Sequence, residues 1–169
     1  MSETTANPNN AAGEDGLNSQ TAPSLTVLAQ YLKDLSFENP RAPAVYQSNS
    51  NPKIDVNVDV QGRALNANQY EIELSVAARA VRENNDAMFV VETTYAGVFE
   101  ITNVPRDQLE MVMLVECPRL LFPFIRQIVA DATRNGNFPP LMLEPIDFMG
   151  IYIANARRNA AAPQGALSN

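Results

Sequence analysis

The sequence predicts a two-layer α+β domain, a four-stranded antiparallel sheet followed by helices packed on one of its faces. Three observations lead there. Apolar and polar side chains alternate through the first half of the folded region, the spacing turns helical after Arg106, and the stretch from Cys117 onward carries more apolar side chain than one covering layer needs.

The strands come first. In "KIDVNVDV", Ile54, Val56, Val58 and Val60 face one way and Lys53, Asp55, Asn57 and Asp59 the other. In "YEIELSVAARA", Tyr70, Ile72, Leu74 and Val76 oppose Glu71, Glu73, Ser75 and Ala77. In "MFVVETTYAGVF", Phe89, Val91, Thr93, Tyr95 and Phe99 oppose Met88, Val90, Glu92 and Thr94. The short "RENND" between the last two is rich in Asn and Asp, which tolerate the left-handed backbone of a hairpin turn. Upstream, "QYLKDLSFENP" alternates as well, placing Leu35 and Phe37 inward and Asp34, Ser36 and Glu38 outward.

Helical spacing follows in "RDQLEMVMLVEC", where Asp107 stands three residues before Glu110, the offset of a capping box. Proline lacks the donor that an α-helix interior needs, so Pro118 is expected to stop this helix and a second to begin at Pro123 or nearer Leu120. From Pro123, the residues Phe124, Ile125, Ile128, Val129 and Ala132 span an arc of about 140°, and including Leu120, Leu121 and Phe122 widens it to about 200°. A helix on one sheet needs a stripe of roughly 100° or a little more, so the surplus asks for a second apolar neighbour. "RNGN" supplies a helix stop at Gly136, "FPPLMLEP" reads as an extended arm, and Asp147 is placed to cap a last helix, with Ile146 and Ile151 at the positions of a hydrophobic staple.

The folded region is expected over residues 24–156. Residues 1–23 and 157–169 are too poor in large apolar groups to offset the entropy of ordering, and read as tails. The N-terminus has no basic start followed by an apolar run, and one cysteine cannot form an intrachain disulfide, so the composition suits a reducing cytoplasm. A net charge of −7 repels phosphate backbones, which argues against a nucleic-acid partner. Catalysis has little support. The chain has no histidine, one cysteine supplies too few ligands for a zinc site, and no glycine-rich phosphate loop is present. No cofactor or metal is therefore expected. Carboxylate chemistry is what remains, and most carboxylates sit on the polar side of strands, where solvation is their ordinary role.

"YLKDLSFENPRAP", "YEIELSV", "AGVFEI", "CPRLLFPFIRQIV" and "GNFPPLMLEPIDF" resemble, in order and spacing, the bacterial protein-export chaperone family SecB, over roughly residues 29–155. The resemblance implies the strand order 1-4-3-2 and a homotetramer built as a dimer of dimers. It also implies an ATP-independent holdase that binds unfolded precursors in the cytoplasm, keeps them translocation-competent and delivers them to the translocase ATPase SecA. The family's contact with SecA carries over to Asp34, Glu38 and Glu92, with Val90 where the family carries a leucine. A client groove is expected along Ile54, Val56 and Val58 of an edge strand, with Tyr46 and Phe122 as walls. The surplus helical face places Leu121, Phe124, Ile125 and Ile128 at the oligomer interface. Where family members often carry a groove tryptophan this chain has Ser50, and it contains no tryptophan at all. The alternatives are a chaperone of the same fold that stabilises an antitoxin and, more distantly, a carboxylate-dependent small-molecule enzyme.

Overall fold

The computed structural model describes residues 22–47 and 51–161. The expected N-terminal tail lies outside the described residues up to position 21, as do residues 162–169 of the expected C-terminal one. Strands β1 (Ser24–Glu38), β2 (Lys53–Ala64), β3 (Gln69–Val81) and β4 (Ala87–Thr102) form one antiparallel sheet in the order β1-β4-β3-β2. β1 starts well before the alternating stretch at Gln30, because register shifts between Val27 and Ala29 and between Leu32 and Asp34 each break the period of two. The "RENND" turn closes as expected, with Asn85 at φ 64° and its N–H donating to the Arg82 carbonyl at 2.8 Å.

Helical structure then runs on from Arg106 to Asn135: α1 (Arg106–Met111), a π-helical turn (Val112–Glu116) and α2 (Cys117–Asn135). This corrects the expectation that Pro118 stops one helix and that the next begins near Leu120 or Pro123. Pro118 falls in the first turn of α2, straight after the wide π turn, so its missing donor and its ring meet a change of hydrogen-bond register instead of a regular ladder. Pro123 lies inside α2, on its exposed side, where water can satisfy the carbonyl left without an N–H. The capping box is also corrected. The helix starts one residue ahead of Asp107, the Pro105 carbonyl accepts the N–H groups of Gln108 and Leu109, and Asp107 sits in the first turn, where its charge complements the helix dipole.

Helix α2 lies on the sheet through Cys117, Leu121, Ile125, Val129 and Thr133, one stripe at a spacing of four, all buried. Leu121 comes so close that a Cβ on Gly97 of β4 would stand 3.0 Å from it and 2.8 Å from the Phe99 ring, so the helix seats only on a glycine there. α3 (Phe148–Ala161) begins as expected: Asp147 Oδ1 accepts the Gly150 N–H at 3.0 Å. It continues past Arg157 to Ala161, since alanines that cannot build a core still favour helix.

The inner face of the sheet shows how far one helix reaches. Cross-strand rows run Val56–Ala78–Val91–Phe37 and Val58–Val76–Thr93–Leu35. The β3 and β4 members are almost fully buried, whereas Val56 on one edge is 46% exposed and Leu35 on the other 45%.

The outer face holds one buried charge. Glu71 on β3 is 3% exposed and accepts hydrogen bonds from the Tyr31 hydroxyl, from Arg63 Nε and, at 3.3 Å, from Lys33 Nζ, which also pairs with Glu73. Tyr31 and Lys33 reach it from β1 across β4, and Arg63 from β2, so this carboxylate ties both sheet edges to the centre. The Tyr31 hydrogen bond, with help from Arg63 and Lys33 and against the opposing effect of burial, holds its carboxyl down at about 2. Because the folded value is depressed, the stabilisation is complete above the ordinary carboxylate range near 4.5 and is lost as pH falls from there towards about 2. Thermal melts across that interval are expected to show the loss. Glu71→Gln should flatten it and lower stability at neutral pH by about 1–3 kcal/mol.

Candidate functional site

An open trough lies beside the uncovered part of β2. After α2 the chain turns in a motif with Asn137, at φ 61°, as the left-handed residue: the Phe138 N–H donates to the Thr133 carbonyl at 3.1 Å and the Asn137 N–H to the Arg134 carbonyl at 3.0 Å. Gly136, expected as the helix stop, has an ordinary φ of −76°. It is required for another reason, since a Cβ there would stand 2.3 Å from Phe37 Cζ. The extended arm then runs from Phe138 towards Asp147, held by the Leu141 N–H donating to Thr133 Oγ1 at 2.9 Å. Thr133, buried in α2, donates in turn to its own helix at Val129 and Ala130.

Between arm and strand lie two consecutive cavities. One, of 570 Å³, is lined by Val45, Tyr46, Ile54, Met88, Phe89 and Phe138 among others. The next, of 420 Å³, is lined by Ile54, Val56, Leu141, Met142, Leu143 and Ile146 with Glu144 and Pro145. Ile54 and Leu141 border both, so they form one trough with an aromatic end and an aliphatic end. At the aromatic end the Phe138 ring packs 4.9 Å from Phe89 and 5.7 Å from Tyr46, centroid to centroid. β2 is also a sheet edge, so apolar side chains and unpaired backbone groups lie side by side.

Of the residues expected here, Ile54, Val56 and Tyr46 line the trough, and Val58 is half-buried, packed against the core. Phe122 borders neither cavity; it is half-buried and meets Phe148 edge-on at 6.3 Å. Met88, Phe89, Phe138, Leu141 and Met142 were not anticipated as lining. Alternation flags an apolar strand, but nothing local in the sequence says which strand the arm lies beside.

The residues expected at the oligomer interface divide. Leu121 and Ile125 are fully buried in this chain's own core, which corrects their assignment: they belong to the sheet-facing stripe of α2. Phe124 is 48% exposed and stacks on Tyr95 at 5.5 Å, and Ile128 is half-buried. With exposed Leu120 and the exposed Val27, Leu28, Leu32 and Leu35 of β1, these supply the uncovered apolar groups on the β1 side of α2.

On the outer face, β1 and β4 bring Asp34, Glu38, Val90 and Glu92 together. Glu38 stands directly opposite Val90, Ser36 opposite Glu92, and Asp34 opposite Thr94. All three carboxylates are exposed, and among the described residues none forms an ion pair. A shallow hollow of 230 Å³ joins Asp34 and Glu92 to Asn57 and Asp59 of β2, because the β3 residues between them, Ser75 and Ala77, are small. Asp59 was legible as solvent-facing but not as part of this surface, since its proximity depends on strand order and on two small neighbours.

Cys117 is not poised as a nucleophile. Burial, with Glu116 nearby, pushes the Cys117 thiol up to about 12, so it is not a thiolate at neutral pH. Among the described residues no three Asp, Glu or Cys gather as metal ligands, and no helix is long and apolar enough to cross a membrane.

Residues 18–159 match the family model for SecB, described as preprotein translocase subunit SecB. A protein-export protein SecB of Maricaulis maris is 50% identical over 149 residues, covering 88% of this chain and 86% of that protein. Its counterpart in Parvibaculum lavamentivorans is 47% identical over 161 residues, 95% and 94% of the two chains. Among solved structures, a SecB-like chaperone of Mycobacterium tuberculosis in complex with a peptide from an antitoxin superposes with a TM-score of 0.56 at 18% identity, covering 73% of this chain and 91% of that one, which establishes likeness of fold. With residues 18–159 matched by the family model and relatives of about half identity covering most of both chains, the chain belongs to the SecB family of protein-export chaperones.

Proposed function

We propose that this chain is an ATP-independent holdase of the cytoplasm that binds unfolded precursor proteins, keeps them translocation-competent and delivers them to the translocase ATPase SecA. The observation that carries this reading is the open trough, with apolar walls beside a free strand edge. Apolar contact, worth roughly 25 cal/mol per Å² removed from water, and backbone pairing at an edge both accept any extended apolar segment, so affinity comes with little sequence preference. Both forces are reversible, which lets a holdase release its client without nucleotide.

The working unit in this reading is a homotetramer, a dimer of dimers. Leu32 and Leu35 of β1 and Leu120 and Phe124 of α2 are each more than 40% exposed, and a second copy would cover them. The outer-face carboxylates Asp34, Glu38 and Glu92, around Val90, make the docking surface for a basic segment of SecA, with Asp59 at its margin. A role in stabilising an antitoxin is the second reading, favoured by the peptide bound to the Mycobacterium relative. The export reading fits better with relatives of about 50% identity that carry the export name.

Sedimentation at micromolar concentration is expected to give a tetramer, and a tight monomer would contradict the assembly. Glu92→Lys should weaken binding of the zinc-containing C-terminal tail of SecA by roughly tenfold or more while leaving the tetramer intact, because it reverses a charge at the centre of the patch. Val56→Asp should lower affinity for a permanently unfolded polypeptide by roughly tenfold, since a charge on the wall must be desolvated when the client seats. Unchanged client affinity would remove the trough from the reading.

A further inference from the structure

Tyr46 sits where three separately folded parts of the chain meet. It lies in a short 3-10 turn, Ala44–Gln47, within the connection between β1 and β2. Its hydroxyl accepts from Asn39 Nδ2, just past the end of β1, at 2.6 Å, and donates to the Gly136 carbonyl at 2.8 Å. Gly136 is the C-cap residue just past Asn135, where the carbonyls of a helix end have no partner within the helix, so Tyr46 caps α2 from 90 residues away in sequence. The ring meanwhile packs on Phe138 and remains 42% exposed, facing the trough.

The same turn is gripped from the opposite side. Arg82 Nη2 donates to the Val45 carbonyl at 2.9 Å, and Arg41 pairs with Asp86 at 2.7 Å, pinning the connection to the β3–β4 hairpin. The turn's other hydrogen bonds among the described residues are local, from Val45 N–H to the Arg41 carbonyl and from Tyr46 N–H to the Pro43 carbonyl. By hydrogen bonds among the described residues, the turn is therefore tied to the sheet by arginines and to the end of α2 by the Tyr46 hydroxyl, while the buried Val45 and the Tyr46 ring on Phe138 add apolar packing. The gap between the turn and the arm is the mouth of the aromatic end.

We propose that the Tyr46 hydroxyl is a positioning group for client capture: its bridge between Asn39 and Gly136 sets the width of the trough's aromatic end. The inference rests on the trough being the client site. It goes further in separating two roles of one side chain, the ring as wall and the hydroxyl as the tie that holds the wall against the arm. Without the hydroxyl the ring still offers the same apolar surface, but apolar packing alone holds the turn to the arm, the mouth is less firmly set and an occupying segment loses contact. The effect falls on dissociation, because entry requires no ordered mouth whereas retention does.

The test uses the full chain and a reduced, alkylated, fluorescently labelled polypeptide as client, with association and dissociation rates measured separately. Tyr46→Phe is expected to raise the dissociation rate roughly three- to tenfold, the scale of one hydrogen bond, with association nearly unchanged. Hydrogen exchange of the Val45 and Tyr46 amides should quicken in the same variant. Tyr70→Phe, which deletes a hydroxyl bonded to the Ala67 carbonyl at 3.4 Å outside the trough, should leave both rates alone. Asn39→Ala, which removes only the donor to Tyr46, should give a smaller rise and serves if Tyr46→Phe does not fold. A Tyr46→Phe dissociation rate equal to wild type, or an equal rise in Tyr70→Phe, overturns the positioning role. Undiminished binding by Val56→Asp overturns the trough reading instead, so the two failures are distinguishable.

Discussion

A single helix cannot cover a four-stranded sheet. Three inter-strand spacings put the axes of the outer strands about 14 Å apart, while a helix with its side chains is about 10–12 Å across. α2 lies over the middle, and the gradient follows directly: the inner residues of β3 and β4 are almost fully buried, whereas Leu32 and Leu35 of β1 and Ile54 and Val56 of β2 are between 39% and 46% exposed. Everything distinctive about this chain follows from what happens at those two edges.

The edges are treated differently. Beside β2 the arm after α2 comes back along the strand without closing over it, held at a distance by the Asn137 turn and by Thr133. The result is a trough with walls on both sides. Beside β1 the described residues include no comparable arm, and Val27, Leu32 and Leu35 are exposed, as are Phe124 and Leu120 of the helix. A walled trough suits an extended segment, and an open apolar strip suits another copy of the same surface. The outer face keeps the sheet soluble and rigid at once, with free carboxylates on one part of it and the buried Glu71 network lacing the strands together on another.

Much of this was legible in the sequence. "KIDVNVDV" alternates without error, so β2 and its two faces could be read directly, and with them the apolar face whose Ile54 and Val56 line the trough. β1 was legible only from Gln30, because its two bulges shift the parity and a period-of-two reading loses the strand there. The helix junction is not legible from local rules, because a π turn precedes Pro118 and the constraint on prolines in regular α-helix interiors does not apply there. Leu121 and Ile125 were assigned outward because an apolar arc gives the width of a stripe and not which part of it faces the sheet. Proximity was the least legible property. That Phe138 meets Tyr46, or that Asp59 shares a hollow with Asp34, depends on packing between segments far apart in sequence.

The central claim is that the two uncovered edges have different fates, one sealed by copies of the chain and the other kept open for unfolded polypeptide. Hydroxyl-radical footprinting reads this most directly, because Phe124 and Met142 are similarly exposed in the isolated chain, at 48% and 52%, and stand on opposite sides of α2. In client-free protein at micromolar concentration the expected result is a protected Phe124 and a reactive Met142, with client then protecting Met142. Equal reactivity of the two before client is added, or protection of Phe124 only after it, would contradict the account.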